Sequence, residues 1–154
     1  PNWLMAVMML ESGVNPKIVN PVGGATGLIQ FMPKTAIGLG TTTEHLKTLN
    51  HVQQLDYVYK YFYPYRNKLK SGEDLYLVTF YPYALNKPDD YIFGSEKGES
   101  YATKLSKQNP GLLKFSEDNF LTKAEWRKSL RYLLEKRLGD SKKIDFFFHQ
   151  TQLK

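Results

Sequence analysis

Residues 1–12 carry apolar side chains in a pattern typical of a helix buried within a domain. Nearly every side of a helical wheel is apolar here, through Trp3, Leu4, Met5, Val7, Met8, Met9 and Leu10. Pro1 suits the first turn of a helix, and Ser12-Gly13 suits its end. We therefore predict a buried helix that ends at Ser12-Gly13, immediately after the acidic residue Glu11.

Residues 13–27 consist largely of turn-forming residues. They include four glycines and two prolines, namely Gly13, Gly23, Gly24, Gly27, Pro16 and Pro21. Such a composition excludes a long helix and permits tight turns or a short hairpin. This stretch is where we expect the few strands of the fold.

Two short helices are predicted next. Pro33 is placed in the first turn of one, which ends near Gly38 to Gly40. The threonines that follow can cap the other, which begins around Glu44. Both follow from turn and capping residues rather than from hydrophobic periodicity.

Periodic apolar residues then predict three longer elements. Helical spacing of Leu55, Val58, Tyr59 and Phe62 predicts a helix that stops at Pro64, and a further helix runs from Ser71-Gly72 to Pro82. Residues 88–111 read as loop with at most one short helix. The last clear helix starts at Thr122, which forms a capping box with Glu125, and ends at Gly139; its apolar stripe is Trp126, Leu130, Leu133 and Leu134.

Composition excludes several classes of protein. The chain has no cysteine, so it has no disulfide, thiolate metal site or cysteine nucleophile. No apolar run approaches the roughly 18 to 20 residues that a membrane-spanning helix needs. The chain opens on Pro1 rather than on a targeting segment, which suggests a processed form or a piece of a longer protein.

The formal net charge of +6 is concentrated near the C-terminus. Residues 123–154 carry nine Lys or Arg and four acids, whereas residues 1–122 carry twelve and eleven. A basic surface of this kind meets nucleic acid, an anionic cell surface or solvent alone. We expect no nucleic-acid partner, no metal and no cofactor, because the histidines lack ligand spacing and the acids near 116–118 do not complete a calcium loop.

Glu11 is the candidate for acid chemistry. It follows a largely apolar stretch and lies at the negative end of the predicted helix dipole, and both surroundings disfavour ionisation. A carboxyl group that stays protonated near neutral pH can donate its proton to a leaving oxygen, as glycoside cleavage requires.

The sequence around Glu11 resembles the lytic transglycosylase SLT family. The Glu11-Ser12 pair, the Asn15-Pro16 turn and the run "GLIQFMP" at 27–33 match the family's E-S, N-P and G-[LI]-[MI]-Q-x-M-P motifs. One residue more than usual separates the first motif from the last, and the doubled Gly23-Gly24 accommodates it at a turn. The resemblance covers about residues 1–83 and is most specific over 6–38.

This resemblance implies a fold and a catalytic residue. The fold is mostly α, an α+β lysozyme-like domain with a small glycine-rich loop or hairpin, and Glu11 is its sole catalytic acid. We expect residues 1–110 to form the transglycosylase domain and residues 111–154 to form a basic helical extension packed on the same domain.

The resemblance also implies residues that bind the substrate. The family's A-Y-N segment has its best counterpart in "TFYPYAL", where Tyr81 is the candidate and Tyr83 competes with it. Further candidates are Ser12, Asn20, Gln30, Phe31 and Met32. The aromatic rings among these residues suit the apolar faces of sugars.

The apparent lack of a second carboxylate indicates the mechanism. Ordinary glycosidases pair an acid with another carboxylate, and phage-type lysozymes place an Asp nine residues after the Glu and a Thr six further on. This chain has Asn20 and Thr26 there. A substrate-supplied nucleophile is therefore favoured: the C6 hydroxyl of N-acetylmuramic acid (MurNAc) attacks its own anomeric carbon and leaves a 1,6-anhydro end.

Two alternatives stay open at this point. One is a hydrolysing muramidase whose water is held by Asn20, Thr26 or an acid such as Asp89 or Asp90. The other is a non-catalytic glycan-binding or structural module of a phage tail or secretion assembly. In each case we expect peptidoglycan strands as partners, and other subunits of an assembly as partners of the basic C-terminal region. The expected location is the cell envelope or a phage virion.

Overall fold

A computed structural model describes residues 1–149 and is mostly helical, as predicted. Within that range it contains eight α-helices: α1 Asn2–Ser12, α2 Pro33–Gly38, α3 Thr43–Thr48, α4 His51–Phe62, α5 Gly72–Phe80, α6 Glu99–Lys107, α7 Lys123–Leu138 and α8 Ser141–Phe148. The strands expected in the glycine-rich stretch are reduced to isolated bridges. Those recorded in the described residues pair Val19 with Thr26, Thr26 with Phe31, and Ile92 with Thr122.

The described chain forms two compact units. The first comprises Pro1–Leu75 together with His149, and the second comprises Tyr76–Phe148. The predicted segments 1–110 and 111–154 divide the chain elsewhere, and that division stays a prediction. The last five residues of the predicted extension, 150–154, lie outside the described residues.

Helix α1 ends where the sequence predicts. Gly13 adopts a left-handed conformation with φ of 62°, and its N–H donates to the carbonyl of Met9 at 3.0 Å. Such a terminal glycine satisfies a carbonyl that would otherwise lack a partner. The helix is less completely buried than predicted, because Val7 is fully buried but Met5 is 50% exposed.

The next three helices begin at the kinds of residue that capping rules require. Pro33 occupies the first turn of α2, and the Thr42 side chain caps α3 by accepting from the N–H of His45. Asn50 and Gln53 form a full capping box at the start of α4. Helix α4 ends at Phe62 before a single 3₁₀ turn that contains Pro64, as the sequence predicts.

The second unit has an aromatic core around Trp126 on α7. The indole ring lies 6.0 Å from Phe93, 6.1 Å from Tyr76 and 6.3 Å from Phe80, measured between ring centroids. Trp126 and Phe93 are fully buried. Burial of large aromatic rings is the main apolar contribution of such a core.

Helix α7 has the predicted ends, although its N-terminus is not a complete capping box. Thr122 accepts from the N–H of Glu125 at 3.2 Å, while its own hydroxyl donates to the Glu125 carboxylate at 2.8 Å. Gly139 ends the helix in a left-handed conformation. Helix α6 is the single short helix expected in 88–111, whereas α8 is not predicted.

Lys123 belongs to the predicted basic region, yet its side chain is buried in the second unit. Its Nζ donates to the carbonyls of Ala84 at 3.1 Å and Lys87 at 2.8 Å. Only 7% of the residue is exposed. This ammonium group therefore braces the loop after α5 and is not available as docking surface.

We predict that Lys123→Met lowers the free energy of unfolding by about 1–3 kcal/mol, because it leaves one buried and one partly buried carbonyl without their charged donor. Lys128→Met, at an exposed position of the same helix, should leave stability nearly unchanged. Urea denaturation followed by circular dichroism measures both variants. Equal midpoints for the two would contradict a bracing role for Lys123.

Candidate active site

Glu11 is half-buried and lies in the last turn of α1. Two consecutive left-handed residues, Gly13 and Val14, turn the chain sharply just after it. The turn is fixed by the N–H of Val14, which donates to the carbonyl of Met8 at 3.1 Å. Glu11 therefore projects from a rigid helix end and not from a flexible loop.

Ser12 connects this helix end to the glycine-rich segment. Its Oγ lies 3.0 Å from the carbonyl oxygen of Met8 and 2.9 Å from that of Leu28, and it accepts from the N–H of Asn15 at 3.2 Å. Only 7% of Ser12 is exposed. The predicted substrate-binding residue Ser12 is thus a structural link beside Glu11.

A buried amide, Gln54 on α4, holds the same segment from the other side. Its Oε1 accepts from the N–H of Leu28 at 2.7 Å, while its Nε2 donates to the carbonyls of Pro16 at 2.8 Å and Leu46 at 3.0 Å. Gln54 is fully buried, so each of these bonds replaces one to water. The sequence does not identify Gln54 as a buried residue directly. The one indication is its spacing, because Gln54 lies four residues before Val58 and eight before Phe62, on the buried face of the same helix.

Gly27 allows the close approach of the chain to Gln54. Its φ is 85°, and a Cβ atom built there would lie 2.4 Å from the Gln54 Oε1. Both the backbone conformation and the contact exclude a side chain. The glycine that opens "GLIQ" is therefore required by geometry.

The turn before Gly27 is tight and closes on itself. The N–H of Asn20 donates to the carbonyl of Ala25 at 2.8 Å, and the N–H of Gly24 donates to the carbonyl of Asn20 at 3.1 Å. Gly23 and Gly24 both have positive φ, of 85° and 74°. The doubled Gly23-Gly24, to which the sequence analysis assigns the extra residue of the motif, lies in this turn.

Tyr61 on α4 is the aromatic neighbour of Glu11 in the first unit. Burial, and then the negative charges of Tyr65 and Glu11, raise the pKa of the Tyr61 hydroxyl. The edge of its ring meets the ring of Phe31 at 6.1 Å. Tyr61 is a candidate site residue that the sequence analysis does not name. The helical spacing used to predict α4 picks out other residues of that helix, such as Val58 and Phe62.

The other predicted substrate-binding residues of the first unit are of two kinds: some are held within the structure and others are exposed. Gln30 is half-buried and donates to the carbonyl of Gly27 at 3.2 Å. Phe31 is 2% exposed, so its ring offers no open face for the predicted stacking on a sugar. Asn20 and Met32 are exposed, although the Asn20 side chain accepts from the N–H of Val22 at 2.9 Å.

Tyr81 and Tyr83 belong to the second unit, whereas Glu11 belongs to the first. The carboxylate that the Tyr81 hydroxyl meets is Glu96, to which it donates a hydrogen bond. Tyr83 is 52% exposed. The predicted hydrogen bond of Tyr81 near the catalytic carboxyl stays a prediction.

Asp89, named as an acid for a hydrolytic alternative, is paired with Arg127. The guanidinium donates to Asp89 at 2.9 Å. This hydrogen bond is the largest effect on the carboxyl and, with the charges of Arg127 and Lys123, lowers the pKa of Asp89 despite partial desolvation. The Asp89 oxygen that Arg127 engages is therefore less available to hold a water.

Among residues 1–149, no three or more His, Asp or Glu side chains converge in a way that could hold a metal ion. No helix within that range has both the length and the apolar character needed to cross a bilayer.

Comparison with known families finds a match in the first unit. Residues 1–76 match the family model described as Transglycosylase SLT domain. The match ends one residue past Leu75, the boundary of the first compact unit. No curated protein and no solved structure matches the chain.

We predict that Gly27→Ala lowers the free energy of unfolding by about 1–3 kcal/mol and displaces the Gln54 amide, because the methyl group and the positive φ are both unfavourable. Gly38→Ala is the matched control, since a Cβ at Gly38 meets nothing within 4 Å. Thermal unfolding and the amide signal of Leu28 by NMR report the two effects. The prediction fails if both variants melt like the parent protein.

Proposed function

Residues 1–76 form a transglycosylase SLT domain, and from this premise we propose that the protein is a peptidoglycan lytic transglycosylase in which Glu11 is the single general acid and base. At the level of the family, such a domain is an enzyme that cleaves glycosidic bonds of peptidoglycan. The observation that carries the assignment to Glu11 is its place at the rigid end of α1, half-buried and next to Tyr61.

The surroundings of Glu11 suit a proton donor. Half-burial and the negative end of the α1 dipole both favour a neutral carboxyl. The raised pKa of Tyr61 keeps the neighbouring phenol neutral at physiological pH, so it adds no negative charge to the site. A neutral acid beside a neutral phenol can deliver its proton without forming two adjacent anions.

In the proposed reaction Glu11 acts first as an acid and then as a base. Glu11 protonates the oxygen of the departing N-acetylglucosamine (GlcNAc) as the bond from the MurNAc anomeric carbon breaks. The C6 hydroxyl of the same MurNAc then attacks that carbon and gives its proton to the Glu11 carboxylate, which restores the acid. The products are a GlcNAc end and a 1,6-anhydroMurNAc end, and no water is consumed.

We assign supporting roles to further residues of each unit. Asn20 and Met32 are exposed on the segment that follows α1 and are proposed as contacts for sugar hydroxyl and acetamido groups. Tyr81 and Tyr83 are proposed as sugar contacts of the second unit. The substrate places the protein in a bacterial envelope or a phage virion, where the basic C-terminal region is proposed to meet other subunits.

The hydrolytic alternative needs a water held by a second polar group. Asn20 has its side-chain oxygen engaged by the N–H of Val22, and Asp89 is engaged by Arg127. Neither residue therefore favours hydrolysis over attack by the C6 hydroxyl. A non-catalytic module would retain glycan binding without any dependence on Glu11.

We predict that Glu11→Gln lowers the rate of peptidoglycan cleavage at least about 100-fold, because the amide cannot donate and recover the proton. The measurement is release of soluble fragments from purified sacculi, with mass analysis of the ends. The wild-type products should carry 1,6-anhydroMurNAc. Glu44→Gln, at an exposed position on α3, is the control and should cleave at the parent rate.

The same experiment separates the alternatives. Reducing MurNAc ends from the wild-type protein would replace the transglycosylase mechanism by hydrolysis. Undiminished cleavage by Glu11→Gln would remove Glu11 from the mechanism. A folded wild-type protein that binds sacculi without cleaving them would favour the non-catalytic module.

We predict that Tyr61→Phe lowers the turnover number by about tenfold while the protein remains folded, because the phenol is the polar neighbour that helps to set the environment of the acid. Tyr59→Phe is the matched control: it lies on the same helix, and Tyr59 is 67% exposed. Initial rates on sacculi across pH report the effect. Identical rates for the two variants would exclude Tyr61 from the site.

A further inference from the structure

The second unit contains a carboxylate held by two tyrosine hydroxyls. Tyr81 donates to one oxygen of Glu96, and Tyr91 donates to the other. Glu96 is exposed and lies in a single 3₁₀ turn, Ser95–Lys97. We call Glu96, Tyr81 and Tyr91 the Glu96 cluster.

The Glu96 cluster is built on a rigid base. The buried ring of Phe93 meets the Tyr81 ring at 5.9 Å and the Tyr91 ring at 5.8 Å, both in edge-to-face geometry. Phe93 is itself fully buried against Trp126. The two hydroxyls are therefore presented to Glu96 by rings whose positions are set by the core.

Electrostatics fixes the protonation state of the Glu96 cluster. Desolvation opposes ionisation of Glu96, but the hydrogen bonds from Tyr81 and Tyr91, its own N–H and the charge of Lys97 outweigh it and lower the pKa of this carboxyl. Burial, followed by the bond to Glu96, raises the pKa of each tyrosine. The Glu96 cluster thus stays as one anion with two neutral donors.

An ionised carboxylate in this arrangement can still bind a ligand. Its two oxygens accept about four hydrogen bonds, and the two tyrosines and the N–H of Glu96 use three of them. One further donor on a ligand fits the remaining capacity of an exposed carboxylate. In GlcNAc the O–H on C3 is such a donor, whereas in MurNAc the C3 oxygen is an ether of lactic acid.

Neighbouring side chains complete a surface for sugars. Tyr83 is 52% exposed and lies 6.2 Å from the Tyr91 ring, so its ring can cover the apolar face of a sugar. The ammonium of Lys87 lies 4.6 Å from the centre of the Tyr83 ring, and that of Lys97 lies 4.6 Å from the Tyr101 ring. These cations suit the carboxylates of peptidoglycan stem peptides.

We propose that the Glu96 cluster and Tyr83 form a GlcNAc-binding subsite in the second unit, in the part of the chain beyond the SLT match. Its role in recognising a peptidoglycan strand depends on the proposed function. Its affinity for GlcNAc does not, because the subsite performs no chemistry. The carboxylate selects GlcNAc over MurNAc, and the tyrosine ring supplies contact area.

The test is titration of the full chain with the tetrasaccharide of β-1,4-linked GlcNAc, followed by backbone NMR and calorimetry. We expect signals of residues 81–97 to shift. Glu96→Gln should weaken binding at least about tenfold, because the amide replaces an accepting oxygen by a donor in a charge-assisted site. Glu117→Gln, at another exposed acid of the same unit, should bind like the parent protein.

Further variants keep the test decisive. Tyr83→Ala changes an exposed ring without touching the core and should also weaken binding severalfold. Free GlcNAc should shift the same signals, and free MurNAc should not. Unchanged affinity in both Glu96→Gln and Tyr83→Ala, or equal shifts with MurNAc, would overturn the subsite.

Failure of the subsite is distinguishable from failure of the proposed function. Glu11→Gln should lose cleavage and keep tetrasaccharide binding, whereas Glu96→Gln should raise KM for sacculi more than it lowers kcat. If the wild-type protein cleaves nothing but binds the tetrasaccharide through Glu96, only the proposed function is wrong. If it cleaves sacculi with the same KM in Glu96→Gln, only the subsite is wrong.

Discussion

The arrangement of the first unit around Glu11 depends on the buried amide of Gln54. This side chain joins three separate parts of the chain, because it bonds to Pro16, Leu28 and Leu46 at once. An amide without these partners would be costly to bury, and the three backbone groups would also lose theirs. The loop conformation and the burial of Gln54 are therefore mutually dependent.

This dependence extends to the catalytic candidate through one residue, Leu28. Its N–H is bound by Gln54 and its carbonyl by the hydroxyl of Ser12, so both backbone polar groups of Leu28 are engaged by side chains. Ser12 directly follows Glu11 at the end of α1. The position of the acid is thus linked to α4 by a continuous path through the loop to the helix end, which gives the Gly and the Ser of the motif a structural role.

The sequence predicts well those helix ends that are determined by residues close by in the chain. Gly13, Pro33, Thr42 and Gly139 act within a few residues of themselves, and the corresponding helix ends are found where their chemistry puts them. Motif resemblance adds the SLT domain, because that information is carried by residues close together in the chain.

The features that escape prediction depend on partners far away in sequence. Gln54 bonds to Leu28 across 26 residues and to Pro16 across 38, and the buried Lys123 reaches Ala84 across 39. From composition alone, Gln54 and Lys123 are ordinary polar residues of exposed helix faces. Packing on Tyr61 likewise buries Phe31, whose place in the motif suggests a sugar contact.

Glu11 and Glu96 show how one side chain can be suited to two different tasks by its neighbours. Glu96 receives two hydroxyl hydrogen bonds, which stabilise the anion and lower its pKa, so it is a good acceptor and a poor proton donor. Glu11 lies half-buried at the negative end of a helix, where the neutral form is favoured. At Glu96 the tyrosine hydroxyls fix the charge. This difference is the basis on which we assign the proposed proton transfer to Glu11 and the proposed sugar contact to Glu96.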